Sequence, residues 1–183
     1  AATLLRSQGY TVHEVRVQDS GPVYAAITTI GQTSQDPAVG GFLTFVFYFI
    51  GHGGAGMMSL TNQDDREIGT LLTDNIAEAI FTEIWADSYT FVFDMCDAFA
   101  ARPHVWAGEA ASGKDPEGWI LAASATGSSP TYGVEYTKAL ALCVGAGPVT
   151  DPAALQDCIR KERFEKPWWF RSIVMMSEIE IGH

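Results

Sequence analysis

The sequence predicts a single α/β domain with a mainly parallel sheet flanked by helices, and three observations support this prediction. Two runs of aromatic and β-branched residues, Phe42–Ile50 and Tyr89–Phe93, are typical of strands that are buried on both faces. Between them, Arg66–Trp85 carries apolar residues at spacings of three and four, which indicates a crossover helix. The length of 183 residues is enough for one domain with a sizeable core.

Three elements are predicted before the first apolar run. Ala1–Gln8 has the pattern of the back half of a helix that ends at Gly9, so we expect the domain to begin further upstream. Apolar and polar residues alternate along Thr11–Val17, which predicts a strand toward an edge of the sheet. Val23–Ile30 is predicted to be a helix, and Pro22 directly before it suits the beginning of the first turn.

The rest of the chain continues the alternation of strands and helices. Gly53–Asn62 predicts a loop or a short hairpin, and Ala101–Gly118, which contains prolines and glycines, predicts a long polar loop. Trp119–Ala123 predicts a third buried strand. Two helices and a last strand, an antiparallel edge strand, are predicted at Val134–Val144, Ala153–Arg163 and Ser172–Met176.

The net charge of the chain limits the classes of partner that it can bind. Eleven basic residues against 22 acidic residues give a formal charge of −11, which opposes binding to nucleic acid or to an anionic membrane. A cationic protein or peptide substrate is compatible with this charge. The longest apolar candidate for a membrane span, Phe42–Ile50, ends at Gly51 and is too short. No signal peptide is recognisable in these residues. We expect a cytoplasmic protein because the cysteine pattern favours reduced thiols, and oligomerisation is left open.

The three cysteines fall into two groups. Their spacing matches no zinc pattern and no disulfide framework, so we expect reduced thiols and no metal site. Cys143 and Cys158 lie on predicted helices, where a cysteine usually packs as a small apolar residue. Cys96 differs because it follows a predicted strand and stands between two acidic residues. It is therefore the candidate nucleophile.

His52 and Cys96 form a candidate catalytic pair. Each follows a predicted parallel strand, and the carboxyl ends of such strands meet at the edge where α/β proteins keep their sites. An imidazole beside a thiol can stabilise the thiolate and then protonate a leaving amine. Glycines on both sides of His52 allow close approach of a substrate, and the amides of Gly53 and Cys96 could bind an oxyanion.

The segments FYFIGHGG and FVFDMCDA resemble the caspase–hemoglobinase fold, and within it the metacaspases and caspases. The segments LRSQGYTV, GWILAASATGSS and YGVEYTKAL are similar to further elements of that fold, while the first strand of the family has no counterpart. The resemblance implies a three-layer caspase-like domain over residues 1–183. It also implies a large-subunit-like part at 1–100, a linker loop at 101–118 and a small-subunit-like part at 119–183. The implied activity is that of a thiol protease with a Cys–His dyad.

The resemblance also implies a substrate. Side chains alternate along a strand, so Asp94 and Cys96 project to the same face. In metacaspase-like proteins the acid two residues before the cysteine lines the pocket for the substrate side chain. By resemblance Asp94 does so here, with Ser124 as a wall residue. We therefore expect cleavage after Arg or Lys.

Two regulatory features of the family have candidate residues in this chain. The predicted linker loop contains Arg102 and Lys114, which would suit autocleavage, although an uncleaved surface loop is equally consistent. Asp64 and Asp65 are candidates for the calcium activation that many metacaspases show. Adjacent aspartates supply too few oxygens on their own, so a solvated loop is the preferred interpretation there.

Two other functions fit parts of the sequence. Asp97-Ala98-Phe99 stands where metacaspases carry His-Ser-Gly after the cysteine, which supports a catalytically inactive caspase-like domain that acts as a binding or scaffold module. A flavodoxin-like domain in which Cys96 only packs is the third interpretation. It is disfavoured because Asp19-Ser20-Gly21-Pro22 is a poor phosphate-binding loop.

Overall fold

A computed structural model of the chain describes residues 1–15, 19–54, 56–61, 67–114, 117–122, 135–144 and 152–164. Six α-helices and one 3₁₀ turn (Ala98–Ala101) lie in this part of the chain. The helices are α1 (Ala2–Ser7), α2 (Gly21–Ser34), α3 (Thr73–Glu83), α4 (Arg102–Ser112), α5 (Glu135–Cys143) and α6 (Pro152–Phe164). The strands are β1 (Phe42–Ile50), β2 (Gly53–Gly54), β3 (Met57–Thr61), β4 (Glu67–Leu72), β5 (Ala86–Asp94) and β6 (Glu117–Ala122).

A three-stranded parallel sheet forms the centre of the fold. Its strands are ordered β1-β5-β6, with β5 in the middle. Phe42 of β1 lies opposite Ala86, and this register continues to Ile50 opposite Asp94. The predicted α/β class with a parallel sheet is therefore confirmed. The predicted edge strand Ser172–Met176 lies outside the described residues.

Helices cover both faces of this sheet. On one face, aromatic side chains of β1 and β5 pack with α3, and the ring centroids of Phe81 and Phe91 lie 5.4 Å apart. On the other face, Val92 packs with residues of α5 and α6, among them Tyr136 and Ile159. Since alternate residues of β5 point to opposite faces, its continuous apolar sequence supplies both cores.

A second, smaller sheet is antiparallel and has the order β2-β3-β4. β2 and β3 form a hairpin, as one of the two interpretations of Gly53–Asn62 predicted. The helix predicted over Arg66–Trp85 is partly wrong, because α3 begins only at Thr73 and β4 precedes it. Pairing of β4 with β3 buries Leu71 opposite Met58, and this tertiary contact overrides the helical spacing of the apolar residues.

The predicted loop Ala101–Gly118 is also wrong in its first half, which forms α4. Pro103 stands in the first turn of the helix, where its missing N–H costs nothing. Gly113 ends the helix with φ 69. Gly108 faces α3 so closely that a β-carbon would lie 2.6 Å from that of Ala77. The residues that suggested a loop therefore mark the ends and the packing contact of a helix.

The strand predicted at Thr11–Val17 is not formed over residues 11–15. In the described part of the chain, β1 pairs only with β5, and residues 11–15 form no ladder with its other edge. They line an open cleft of about 1040 Å³ that residues of β1 also line. Within the described residues, no helix has the length and apolar character needed to span a membrane.

A disulfide joins Cys143 of α5 to Cys158 of α6. The expectation of reduced thiols that only pack is wrong for these two residues. The two helices pack against each other and bring the Cα atoms to 5.7 Å, which is within the range that a disulfide needs. Cys96 is the free cysteine.

Candidate active site at the carboxyl ends of β1 and β5

The two segments that carry the candidate residues leave the parallel sheet side by side. Ile50 and Asp94, the last residues of β1 and β5, are directly opposite each other. The amide of Gly51 continues the ladder by donating a hydrogen bond of 3.2 Å to the carbonyl oxygen of Asp94. The histidine loop and the cysteine loop therefore begin at the same edge of the sheet, as the sequence predicted.

The histidine lies at the start of the β2–β3 hairpin. The carbonyl of His52 accepts a hydrogen bond of 2.8 Å from the amide of Ser59, and the next pair along the hairpin is Gly53 opposite Met58. In an antiparallel ladder hydrogen-bonded and non-hydrogen-bonded pairs alternate, so the N–H of Gly53 is directed away from β3. The side chain of His52 is exposed. The hairpin thus fixes the backbone of the histidine and leaves its imidazole accessible.

The histidine and cysteine loops are packed against each other. A β-carbon on Gly53 would overlap the sulfur of Met95 and would lie 2.7 Å from the carbonyl oxygen of Met57. A β-carbon on Gly54 would lie 3.8 Å from Cβ of Asp97, which is ordinary contact. Met95 is fully buried under this contact. The neighbours of His52 therefore touch the residues on both sides of Cys96.

The backbone turns sharply after the cysteine. Cys96 is half-buried and carries a free thiol. Asp97 has φ 50, the one left-handed conformation among the non-glycine residues of the described part. Aspartate tolerates this conformation better than most residues. The turn leads directly into the buried Ala98 of the 3₁₀ segment, so it ends β5 with the thiol partly accessible at the sheet edge.

Asp94 is buried, with 2% of its surface exposed, and contacts α5. Its Oδ2 accepts hydrogen bonds from Thr137, at 3.2 Å from the amide and 2.5 Å from the hydroxyl. The hydroxyl of Tyr48 lies 3.0 Å from Oγ1 of Thr137. Burial, together with the nearby charge of Asp94, raises the pKa of Tyr48 well above its usual value. A polar network therefore surrounds this carboxylate at the end of β5.

The sequence did not single out Thr137 or Tyr48. Thr137 is 43 positions from Asp94 along the chain, and nothing in the local pattern of YGVEYTKAL marks it. Tyr48 gave a weak signal, because a hydroxyl within an apolar strand needs a partner. Ser124, the predicted wall residue, lies outside the described residues, as do Asp64 and Asp65.

No metal site is present in the part of the chain that the structure describes, where no three His, Cys, Asp or Glu side chains cluster. Calcium activation stays a prediction, since both aspartates proposed for it are outside that part. A comparison with protein families, curated proteins and solved structures finds no match to this chain. The roles that the caspase-like resemblance implies therefore stay predictions. Any proposal for the function has to be supported by the geometry of the site.

Proposed function

We propose that the chain is a caspase-like cysteine endopeptidase in which Cys96 is the nucleophile and His52 carries protons. The observation that supports this most is the contact between the two loops: Gly53 packs on Met95, and Gly54 lies beside Asp97. This contact holds a free, half-buried thiol and an exposed imidazole on adjacent loops at one edge of the sheet.

In the proposed reaction, the Cys96 thiolate attacks the carbonyl carbon of the scissile peptide bond, and the carbonyl electrons move to the oxygen. The protonated His52 then gives its proton to the leaving amine, the C–N bond breaks and a thioester forms. His52 next takes a proton from a water molecule, whose attack releases the new carboxyl end and regenerates the thiolate. The N–H of Gly53, which is directed away from β3, is available with the amide of Cys96 to bind the oxyanion.

The proposed substrate is a polypeptide with Arg or Lys before the cleaved bond. Asp94 supports this because it is a buried carboxylate at the end of the strand that leads to the nucleophile. A buried carboxylate favours a cationic group in its surroundings. The formal charge of −11 adds a general attraction for a basic substrate.

Labelling with a peptidyl-arginine chloromethyl ketone tests the proposal directly. We expect alkylation at Cys96, detected by mass spectrometry of peptides, and loss of labelling in the Cys96→Ala protein. His52→Ala should slow the labelling by about 100-fold or more, since it removes the group that stabilises the thiolate. His13→Ala is the matched control, because His13 is an exposed histidine outside both loops. Intact Cys96 that reacts no faster than a free cysteine would instead favour the scaffold function.

Substrate preference is measured with fluorogenic peptides that differ only in the residue before the cleaved bond. We expect cleavage after Arg and Lys, with Asp94→Asn reducing kcat/KM for these peptides. A preference for Asp at that position would overturn the assignment of Asp94. Repeating the assay with and without Ca²⁺ tests the prediction of calcium activation.

A further inference from the structure

One oxygen of the Asp94 carboxylate is held twice by the same residue. Oδ2 accepts a hydrogen bond of 3.2 Å from the amide of Thr137 and one of 2.5 Å from its hydroxyl. Both side chains are buried, with 2% of Asp94 and 7% of Thr137 exposed. Two donors on one helical residue fix the plane of the carboxylate relative to α5 as well as to its own strand.

Tyr48 extends this arrangement to a third element, β1. Its hydroxyl lies 3.0 Å from Oγ1 of Thr137. An ionised carboxylate only accepts hydrogen bonds, so the single hydroxyl hydrogen of Thr137 goes to Asp94. Tyr48 must then be the donor to Thr137. The hydrogen bonds therefore run in one direction, from Tyr48 to Thr137 and from Thr137 to Asp94. In such a series each hydrogen bond polarises and strengthens the next, and a charged final acceptor adds to this effect.

We propose that Thr137, supported by Tyr48, is the positioning residue that fixes Asp94 as the anchor for a cationic substrate side chain. The proposal rests on the proposed function for the identity of the substrate and adds the residues that determine its recognition. A cationic side chain donates to a carboxylate in a defined direction, so the orientation of the carboxylate has to be fixed. Donors to the carboxylate also favour its ionised form.

Binding of benzamidinium to the Cys96→Ala protein tests the anchor without catalysis. Calorimetry should show one site, which Thr137→Val weakens by about tenfold or more, because a hydrogen bond to a charged group is lost. Thr137→Ser keeps both donors and should bind benzamidinium within about threefold of the parent. Tyr48→Phe removes only the outer bond, and we expect a smaller loss, of about two- to fivefold. Near-ultraviolet circular dichroism of each variant checks that it is folded.

Peptide hydrolysis supplies the second readout. With a peptide that carries Arg before the cleaved bond, Thr137→Val should raise KM more than it lowers kcat, while a peptide with the neutral isostere citrulline should be affected little. Alkylation of Cys96 by iodoacetamide should keep its rate, because the thiol itself is unchanged.

The endopeptidase function and the positioning role of Thr137 can be refuted independently of each other. If benzamidinium binds and Thr137→Val weakens it, but no peptide is cleaved, the anchor stands and the endopeptidase function is wrong. If the parent binds no benzamidinium, or if Thr137→Val binds it as tightly as the parent, the positioning role of Thr137 is overturned even where peptides are cleaved.

Discussion

Gly53 lies against Met95 so closely that a β-carbon at position 53 would overlap the methionine sulfur. The same β-carbon would be 2.7 Å from the carbonyl oxygen of Met57, which the hairpin holds in place. The loops after β1 and β5 are thus packed to a separation that only glycine permits.

We predict that Gly53→Ala separates these two loops and impairs the site. The rate of Cys96 alkylation by the chloromethyl ketone should fall by about tenfold or more, since small displacements at a reacting centre cost large factors in rate. Gly54→Ala is the matched control, because its β-carbon would meet its nearest neighbour at 3.8 Å. Equal labelling of the two variants would show that the Gly53 contact does not position the thiol.

A second tight contact joins the start of β3 to α4. Gly56 has φ 76, and a β-carbon there would be 2.6 Å from Cγ of His104 and would overlap its Cδ2 and Nε2. Gly56→Ala should therefore lower the free energy of unfolding by roughly 2–4 kcal/mol, from the left-handed backbone and from overpacking. Urea denaturation measures this change.

The two causes can be separated with a second substitution. In the Gly56→Ala/His104→Ala protein the overlap is removed, while the cost of the left-handed backbone stays at about 1–2 kcal/mol. A double-mutant cycle should therefore give a coupling free energy of about 1 kcal/mol or more between the two positions. Additive effects would mean that His104 moves aside freely.

The disulfide between Cys143 and Cys158 should contribute to stability. It closes a loop of 15 residues, for which the loss of chain entropy in the unfolded state corresponds to about 3 kcal/mol. The Cys143→Ser/Cys158→Ser protein should unfold at a correspondingly lower urea concentration, and dithiothreitol should have the same effect on the parent only. Titration of thiols in denaturant without reductant should find one thiol, Cys96, and a result of three would contradict the disulfide.

Burial of Tyr48 predicts a loss of stability at high pH. Its pKa in the folded protein is raised above the ordinary value of 10.0, so the folded state holds its proton where the unfolded state has released it. The contribution to stability is therefore complete below pH 10 and declines as the pH rises above it, by up to about 1.4 kcal/mol per pH unit.

Tyr48→Phe should flatten this decline in the free energy of unfolding, measured by urea denaturation at several pH values from 8 upward. Part of the decline should remain, since burial also raises the pKa of Tyr10, Tyr24 and Tyr89. Tyr24→Phe is the comparison, because that side chain is less buried and its pKa is less strongly raised. An unchanged decline in Tyr48→Phe would place the ionisation elsewhere.

The parts of the fold that the sequence predicted well are those that depend on local composition. Phe42–Ile50 and Tyr89–Phe93 are so rich in aromatic and β-branched residues that strands are favoured, and both strands form. The expected burial on both faces is confirmed for β5 but wrong for β1, which lies at the edge of the described sheet and leaves Leu43 82% exposed. The parallel order of these strands then placed His52 and Cys96 at one edge. In both cases the information is contained in a few consecutive residues.

The errors arise where distant contacts decide the structure. β4 was hidden within a helical pattern because Leu71 pairs across to β3, and Gly108 suggested a loop although it serves close packing of α4 on α3. The pairing of Cys143 with Cys158 depends on how two helices approach each other. Thr137 belongs to the candidate site only through hydrogen bonds to a residue 43 positions away. Spacing along the chain carries none of this information.

The ladder between β1 and β5 has a consequence for when the histidine and cysteine loops come together during folding. It joins residues 44 positions apart, as in Phe42 opposite Ala86, and such long-range parallel pairing forms slowly. Until it forms, the loops that carry His52 and Cys96 are not held at one edge of the sheet. The enhanced reactivity that we propose for Cys96 should therefore arise late, together with the native sheet. The rate at which the reactivity of Cys96 rises during refolding would then measure how fast the parallel sheet forms.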